Sequence, residues 1–313
     1  MIRETEGKVV KGLGGLYDTR TYDAERGEEH ILSRAKGNLR RDDARVLIGD
    51  NVRLRIDDTT PDGVIISEVL TRKNALIRPP MANLDILFIV LAAKKPSPVT
   101  TTLDKLIAIA EHECITPVVV ITKDDLDASE ARRYADLYRT VGIDVFVTSS
   151  LQNEGISALK TYIDAEVRDG ITAAFAGASG VGKSTLMNAL FPTLALATSA
   201  ISEKIERGKH TTRHVELFPV GEGAHTGFLA DTPGFSLLDF EHFDFFALED
   251  LADTFREFRP YRGKCRYADC AHIGESSADC AVARAAEEGK IAPSRLASYR
   301  TLYAVLKNKD RYR

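Results

Sequence analysis

No apolar stretch of the 313-residue sequence is long enough to cross a bilayer. The longest, ILFIVLAA at 86–93, has the length of a strand, against the ~20 residues that a spanning helix needs. The opening residues, MIRETEGKVVKG, lack the apolar core of a secretory leader, so a cytoplasmic protein with no membrane partner is expected. Cysteine is scarce, at four residues, and three of these lie between positions 265 and 280. That clustering argues for a metal site and against a disulfide framework. Neither an internal repeat nor a low-complexity segment is present. Charge of one sign is not in excess either: the formal net charge is −4, so the whole-chain field does not single out nucleic acid as a partner.

What is present suits a globular protein of two or three domains, with 44% hydrophobic and 28% charged residues. Charge is uneven along the chain. Residues 290–313 hold seven Lys and Arg against one acid, residues 256–266 hold five against one, and residues 239–253 hold six acids and no Lys or Arg. A charge run is most often a solvated face. The run RAKGNLRR supplies Arg34, Lys36, Arg40 and Arg41 with no acid among them.

Residues 1 to about 75 read as short strands split by glycines and Asp-Asp pairs, a pattern that suits a small β-barrel of the oligonucleotide-binding kind. RPPMANLD, 78–85, has the proline pair expected of a linker. From 85 onward strands and helices alternate, which implies a parallel sheet. DASEARRYADLYRTV reads as a helix capped by Asp127 or Ser129. From about 246 the chain reads as helical around the cysteines. The expected architecture is multidomain α/β: a barrel over 1–77, a nucleotide domain over 78–245 and a mainly helical metal-binding module over 246–313.

The chemistry is densest at Gly177-Ala178-Ser179-Gly180-Val181-Gly182-Lys183-Ser184-Thr185, which matches G-x-x-x-x-G-K-[ST]. It follows a predicted strand and opens a predicted helix, the context that confirms the match. Glycines permit a tight loop whose N–H groups face phosphates, and the helix N-terminus adds partial positive charge. Lys183 is assigned to the β/γ-phosphates and Ser184 to Mg²⁺. Asp231 ends an apolar strand, as an Mg²⁺-holding carboxylate does, and Asp231-Thr232-Pro233-Gly234 points to a GTPase rather than a kinase.

A GTPase must read guanine, and the usual Asn-Lys-x-Asp is missing downstream, where Asn308-Lys309-Asp310 has the wrong spacing and no strand before it. The better match lies upstream. Thr122-Lys123-Asp124-Asp125 ends a strand, with Asp125 to accept from guanine N1 and N2 and the Lys123 stem to cover the base; Thr122 replaces the usual Asn. Ser149-Ser150, followed by Gly155, has the spacing of the second base-reading element. With base elements ahead of the phosphate loop, the domain reads as circularly permuted, which a parallel sheet tolerates because its site is built from loops at one edge.

Cys265-x4-Cys270-x-His272-x7-Cys280 offers three thiolates and an imidazole, a closed set for one structural Zn²⁺. Cys114, at a predicted helix end, reads as a buried thiol instead.

With its barrel, permuted phosphate-loop domain and cysteine cluster, the chain resembles the ribosome small-subunit-dependent GTPase A family of bacteria over nearly its whole length. That resemblance implies a GTPase of late 30S ribosomal subunit maturation, stimulated by the subunit, which takes GTP and GDP, contacts 16S rRNA through the barrel, and acts as a monomer. It also implies that Gly208-Lys209-His210-Thr211-Thr212 is a switch element. One of Thr211 and Thr212 then ligates Mg²⁺, with Thr212 favoured, and His210 assists hydrolysis or is an exposed loop residue. Phe235 stands where many GTPases carry a water-orienting Gln, and Gly180 where potassium-activated ones carry Asn.

Overall fold

The computed structural model describes the chain except residues 1, 24, 26, 41–44, 58, 60–62, 78, 193–214, 232–246 and 311–313. Its strands, in chain order, are β1 (Ile2–Leu13), β2 (Leu16–Asp23), β3 (Gly27–Ala35), β4 (Asn51–Asp57), β5 (Val64–Val69), β6 (Ala75–Leu76), β7 (Met81–Ala82), β8 (Ile86–Ala92), β9 (Thr116–Thr122), β10 (Asp144–Val147), β11 (Thr172–Gly177), β12 (Glu216–Val220) and β13 (Gly227–Asp231). The α-helices are α1 (Thr100–His112), α2 (Ala128–Thr140), α3 (Ile156–Glu166), α4 (Lys183–Leu190), α5 (Ala281–Glu287) and α6 (Pro293–Asp310). These elements cluster into two compact units, the first comprising Met1–Ile86, Ser157–Phe175 and Met187–Phe235, the second Leu87–Ile156, Ala176–Leu186 and Ser236–Arg313.

In the first unit a closed barrel runs in the order β1-β2-β3-β5-β4. Alternation closes it: Val52, Leu54 and Ile66 point inward with Val9, Ala35, Leu39 and Val46, and the intervening residues face out. ARVLIGDNVRLRID reads as one strand, but among its described residues β4 begins only at Asn51. The Asp50 carboxylate accepts from the Leu47 N–H (2.7 Å), and Gly49 takes φ +89° where a Cβ would stand 2.1 Å from the Ala82 carbonyl oxygen, so a turn precedes the strand. The segment expected as a linker is also different. Met81, Ala82 and Leu84 are fully buried, β7 pairs with β6, and the Asn74 side chain accepts from the Leu84 N–H (3.0 Å) and donates to the Leu84 carbonyl (2.8 Å), while the Asn83 side chain donates to the Gly49 carbonyl (3.0 Å). The same unit contains β11, β13 and β12 in that order, β13 parallel to β11 and antiparallel to β12.

In the second unit β10, β9 and β8 lie in that order, with β10 parallel to β9. Every residue of β8 is buried, as a continuous apolar run in a parallel sheet requires. Of the two candidate caps of α2 the structure uses Asp127, whose carboxylate accepts from the Glu130 N–H (3.2 Å) while Ser129 donates to that same carboxylate.

Residues 247–310 are less helical than expected. Leu248–Thr254 and Arg256–Tyr261 are 3-10 turns, and only α5 and α6 are α-helices. This segment grips α1 through buried charge. Arg295 donates to Asp104 of α1 (2.5 Å) and to Glu257 (2.6 Å), and the Tyr138 hydroxyl of α2 donates to the same Asp104 oxygen (2.9 Å). Arg256 and Arg259 both hold Glu111, two turns along α1. Cys114 is exposed rather than buried, at a left-handed position (φ 56°) that ends α1.

Candidate nucleotide site and metal centre

Strand β11 is buried throughout and delivers Gly177 with φ 148°. A Cβ there would sit 2.4 Å from the Val90 carbonyl oxygen, so only glycine lets β11 turn out beside β8. Gly180 and Gly182 also take positive φ, 77° and 98°, and the chain winds straight into α4 at Lys183. The Lys183 ammonium folds back on the loop, donating to the carbonyls of Gly177 (2.7 Å) and Ala178 (2.8 Å). Burial lowers its pKa from the ordinary lysine value. Ser179, Ser184 and Thr185 are exposed, Ala178 is half-buried, and Val181 is buried as the anchor of the loop.

The Thr122–Asp125 loop, expected to read the base, meets this loop. The Thr122 hydroxyl, buried at the end of β9, donates to the Val181 carbonyl oxygen (2.5 Å). Lys123 adopts φ 59°, and its ammonium donates to the Gly180 carbonyl (2.7 Å) and to that of Lys95. A Cβ on Gly182 would make only ordinary contact with Thr122 Oγ1 (3.6 Å) and Lys123 Cε (3.7 Å), so it is the φ of 98° that calls for glycine there. Thr122 thus acts as a clamp between two loops, a task one hydroxyl performs without the amide of Asn. Asp125 sits in a 3-10 turn, Asp124–Leu126, where the fully buried Ser149 donates its hydroxyl to Oδ1 (2.5 Å) and accepts from the Gln152 N–H (3.2 Å). Ser149 and Glu154 exchange two backbone hydrogen bonds of 3.0 Å. Gly155 closes that loop at φ 68°, where a Cβ would stand 2.0 Å from the Val147 carbonyl oxygen. Ser150 follows at the half-buried second position.

The structure adds contacts that the sequence did not predict for these residues. The Ser149 hydroxyl orients Asp125, and Thr122 and Lys123 bind the phosphate loop; Lys95 enters through its carbonyl. No local pattern signals these pairings. Asp231 is the last residue of β13, one past Ala230, whose partner on β11 is Ala174; Asp231 itself pairs with Glu216 of β12. His210, Thr211, Thr212, Gly234 and Phe235 lie outside the described residues.

At the other candidate centre, the ligand atoms of Cys265, Cys270, His272 and Cys280 all lie within 4.8 Å of one another. His272 Nδ1 is 3.6, 3.4 and 3.4 Å from the sulfurs of Cys265, Cys270 and Cys280, and the Cys265 and Cys280 sulfurs are 3.9 Å apart. A tetrahedron built on Zn–S of ~2.3 Å and Zn–N of ~2.0 Å has edges of about 3.8 Å between sulfurs and about 3.5 Å from nitrogen to sulfur, so the four atoms fit zinc. Backbone N–H groups point at all three sulfurs, from Ala281 to Cys265 (3.3 Å), from His272 to Cys270, and from Ala283 to Cys280 (3.3 Å). Burial pushes the Cys270 thiol up to about 12 and raises that of Cys280, while burial keeps His272 neutral. Three thiolates this close need a cation between them.

Two family models match, one described as the RsgA N-terminal domain over residues 6–65 and one as the RsgA GTPase over residues 69–241. "Small ribosomal subunit biogenesis GTPase RsgA 2" of Listeria monocytogenes is 42% identical, covering 98% of this chain and 99% of that protein. "Small ribosomal subunit biogenesis GTPase RsgA" of Caldanaerobacter subterraneus is 39% identical, with 98% of each covered. The crystal structure of YjeQ from Thermotoga maritima aligns with a TM-score of 0.78 and 30% identity over 97% of this chain and 99% of its own. That of YloQ, described as a circularly permuted GTPase, aligns with 0.76 and 33% identity over 98% and 96%. With a family model spanning more than half its length and relatives this similar end to end, the chain belongs to the RsgA GTPase family.

Proposed function

We propose that this GTPase hydrolyses GTP to GDP and phosphate during late maturation of the 30S ribosomal subunit, that the subunit stimulates it, and that it works as a cytoplasmic monomer contacting 16S rRNA. The names of its relatives support the role in small-subunit biogenesis. The observation that carries the chemical reading is the clamp of Thr122 and Lys123 onto Val181 and Gly180. It ties a base-reading loop to a phosphate loop that follows it in the chain, as a permuted GTPase requires. Residues 1–77 are proposed as the RNA-binding barrel, 78–245 as the GTPase domain and 246–313 as the zinc module. In the barrel, Arg34 and Lys36 are exposed, while Arg41 lies outside the described residues.

In this reading the N–H groups from Gly177 to Thr185 enclose the phosphates, Lys183 faces the β/γ-phosphates, and Gly234 reads the γ-phosphate. Ser149 and Ser150 hold the base-reading loop. Mg²⁺, when bound with GTP, neutralises charge between the β- and γ-phosphates; Ser184, Thr212 and Asp231 would hold it, and the exposed hydroxyl of Ser184 in the first turn of α4 is the hard oxygen donor that this ion takes. Thr212 and His210 are assigned to the switch that completes hydrolysis. One structural zinc is assigned to Cys265, Cys270, His272 and Cys280.

Two measurements test this. Asp125→Asn presents an amide donor where guanine needs an acceptor, so GTP affinity falls and xanthosine triphosphate is preferred; unchanged GTP binding would remove Asp125 from base reading. Turnover measured against added 30S, 50S and 70S particles rises with 30S alone. Equal rates with and without 30S, in single-turnover conditions, would overturn the stimulated-enzyme reading.

A further inference from the structure

Within the first unit, three cations leave the barrel and each seizes a different strand of the trio β11, β12 and β13. Lys8 of β1 donates to the hydroxyl of Thr172, the first residue of β11 (3.1 Å). Lys11 of β1 pairs with Glu216, the first residue of β12 (2.9 Å). Arg20 of β2 donates to the Thr226 hydroxyl, immediately before β13 (3.0 Å). Lys8 and Arg20 also stand 5.5 and 5.4 Å from the ring centroid of Phe228 in β13, so two cations share one aromatic face system. These strands have consequential far ends. β11 runs into the phosphate loop, β13 ends at Asp231, and Glu216 is the cross-strand partner of Asp231.

The joint is not built for stability. Lys8 and Arg20 are only 8% and 7% exposed, and Lys8 has a hydroxyl and a ring as its close partners rather than a carboxylate. Arg20 has Glu28 as its carboxylate, yet its second terminal nitrogen is buried without a hydrogen bond. Buried cations so incompletely satisfied cost free energy that apolar side chains of like volume would not.

We infer that Lys8, Lys11 and Arg20 are positioning residues for GTP hydrolysis, forming the joint through which the barrel, once it holds RNA, shifts the strands that carry the phosphate loop and Asp231. This rests on the reading of the barrel as the RNA-binding part and of the subunit as the stimulator. Packed interfaces of this kind move between discrete arrangements rather than deforming smoothly, and coupling through them is reciprocal. The nucleotide must therefore be felt in the barrel as much as RNA is felt at the nucleotide.

Burial lowers the pKa of Lys8 to about 8, with Asp85 and Asp50 opposing and Lys73 adding to the shift; Arg20 is the other cation on the same ring. The unfolded chain keeps that proton up to the ordinary lysine value of 10.5 and the folded chain releases it near 8. Between those values the unfolded state binds more protons, so stability rises with pH across the window and the penalty is fully present below it.

The test uses the full-length protein. In the wild type, amide exchange in β1 and β2 differs between GDP and a non-hydrolysable GTP analogue; in Lys8→Met and Arg20→Met the difference is lost. Lys8→Met also melts at a higher temperature than the wild type at pH 7, with the gap closing as pH rises above 8, the opposite of what a merely structural lysine would do. The partly exposed pair serves if these variants fold poorly. Lys11→Glu lowers 30S-stimulated turnover at least tenfold while 30S co-sedimentation persists, and the swap Lys11→Glu with Glu216→Lys restores it. Nucleotide-blind exchange in the wild-type barrel, or a swap that fails to rescue, overturns the joint. A wild type that 30S does not stimulate overturns the functional reading instead, and the exchange experiment still decides the joint on its own.

Discussion

Lys183→Ala is expected to lower GTP turnover by about 10²–10³-fold, the loss seen when one preorganised donor is taken from developing transition-state charge. The structure explains why this residue should matter so much. Its ammonium is half-buried and rests on two carbonyl oxygens, those of Gly177 and Ala178, rather than on a carboxylate. Burial has already weakened its hold on the proton. Phosphate oxygens therefore offer it a better partner than the loop does, and the gain grows as charge accumulates on the oxygens of the γ-phosphate in the transition state. A factor of 10²–10³ corresponds to roughly 2.7–4 kcal/mol, which is within reach of one charged contact shielded from water. Single-turnover hydrolysis of Lys183→Ala, with 30S present, is the measurement. Turnover at the wild-type rate would remove the phosphate loop from the mechanism.

Cys270→Ser is expected to strip zinc from the protein and loosen residues 265–287. The ligands hold segments that few other interactions hold: the 265–280 region has neither α-helix nor strand, and the cap of α5 is the Cys280 sulfur itself, which accepts from the Ala283 N–H. The binding free energy of structural zinc, ~10–16 kcal/mol in zinc-finger peptides, is folding free energy when no site exists in the unfolded chain. Helix α6 has a second anchorage in Arg295 and in the contacts of Tyr299 with Phe255 and Phe258, at 5.3 and 4.9 Å between ring centroids. Loss of zinc should thus be graded, with amide protection vanishing from α5 and its preceding loops and persisting in part along α6. Elemental analysis should find one zinc in the wild type and almost none in the variant. A metal-free protein with full protection of α5 would defeat the assignment. Since zinc binds the thiolate and not the thiol, its uptake must release protons, and chelators should strip the metal faster as pH falls.

Features decided within a few residues of chain were legible before the fold was known. The phosphate loop was legible because glycine alone takes the φ values at Gly177, Gly180 and Gly182, and because a lysine and a serine must follow. The Cys/His ligand cluster was legible from ligand type and spacing, the barrel from alternation and turn residues, the parallel layer from strand–helix alternation, and the start of α2 from two candidate caps. The family could be named on those features together.

Tertiary structure alone decided the partners. Thr122 finds the Val181 carbonyl 59 positions away, Lys8 finds Thr172 at 164, and Arg20 finds Thr226 at 206. Residues 81–84, with the proline pair before them, looked like a linker and are core, because β6 pairs with Met81 and Ala82 and the Asn74 side chain bonds both backbone groups of Leu84, in place of water. Dihedral preference, capping and ligand spacing act through the covalent chain and so are written locally. A hydrogen bond across the fold depends instead on which strands the closed barrel and the open sheet bring side by side, and no short window of residues contains that neighbour.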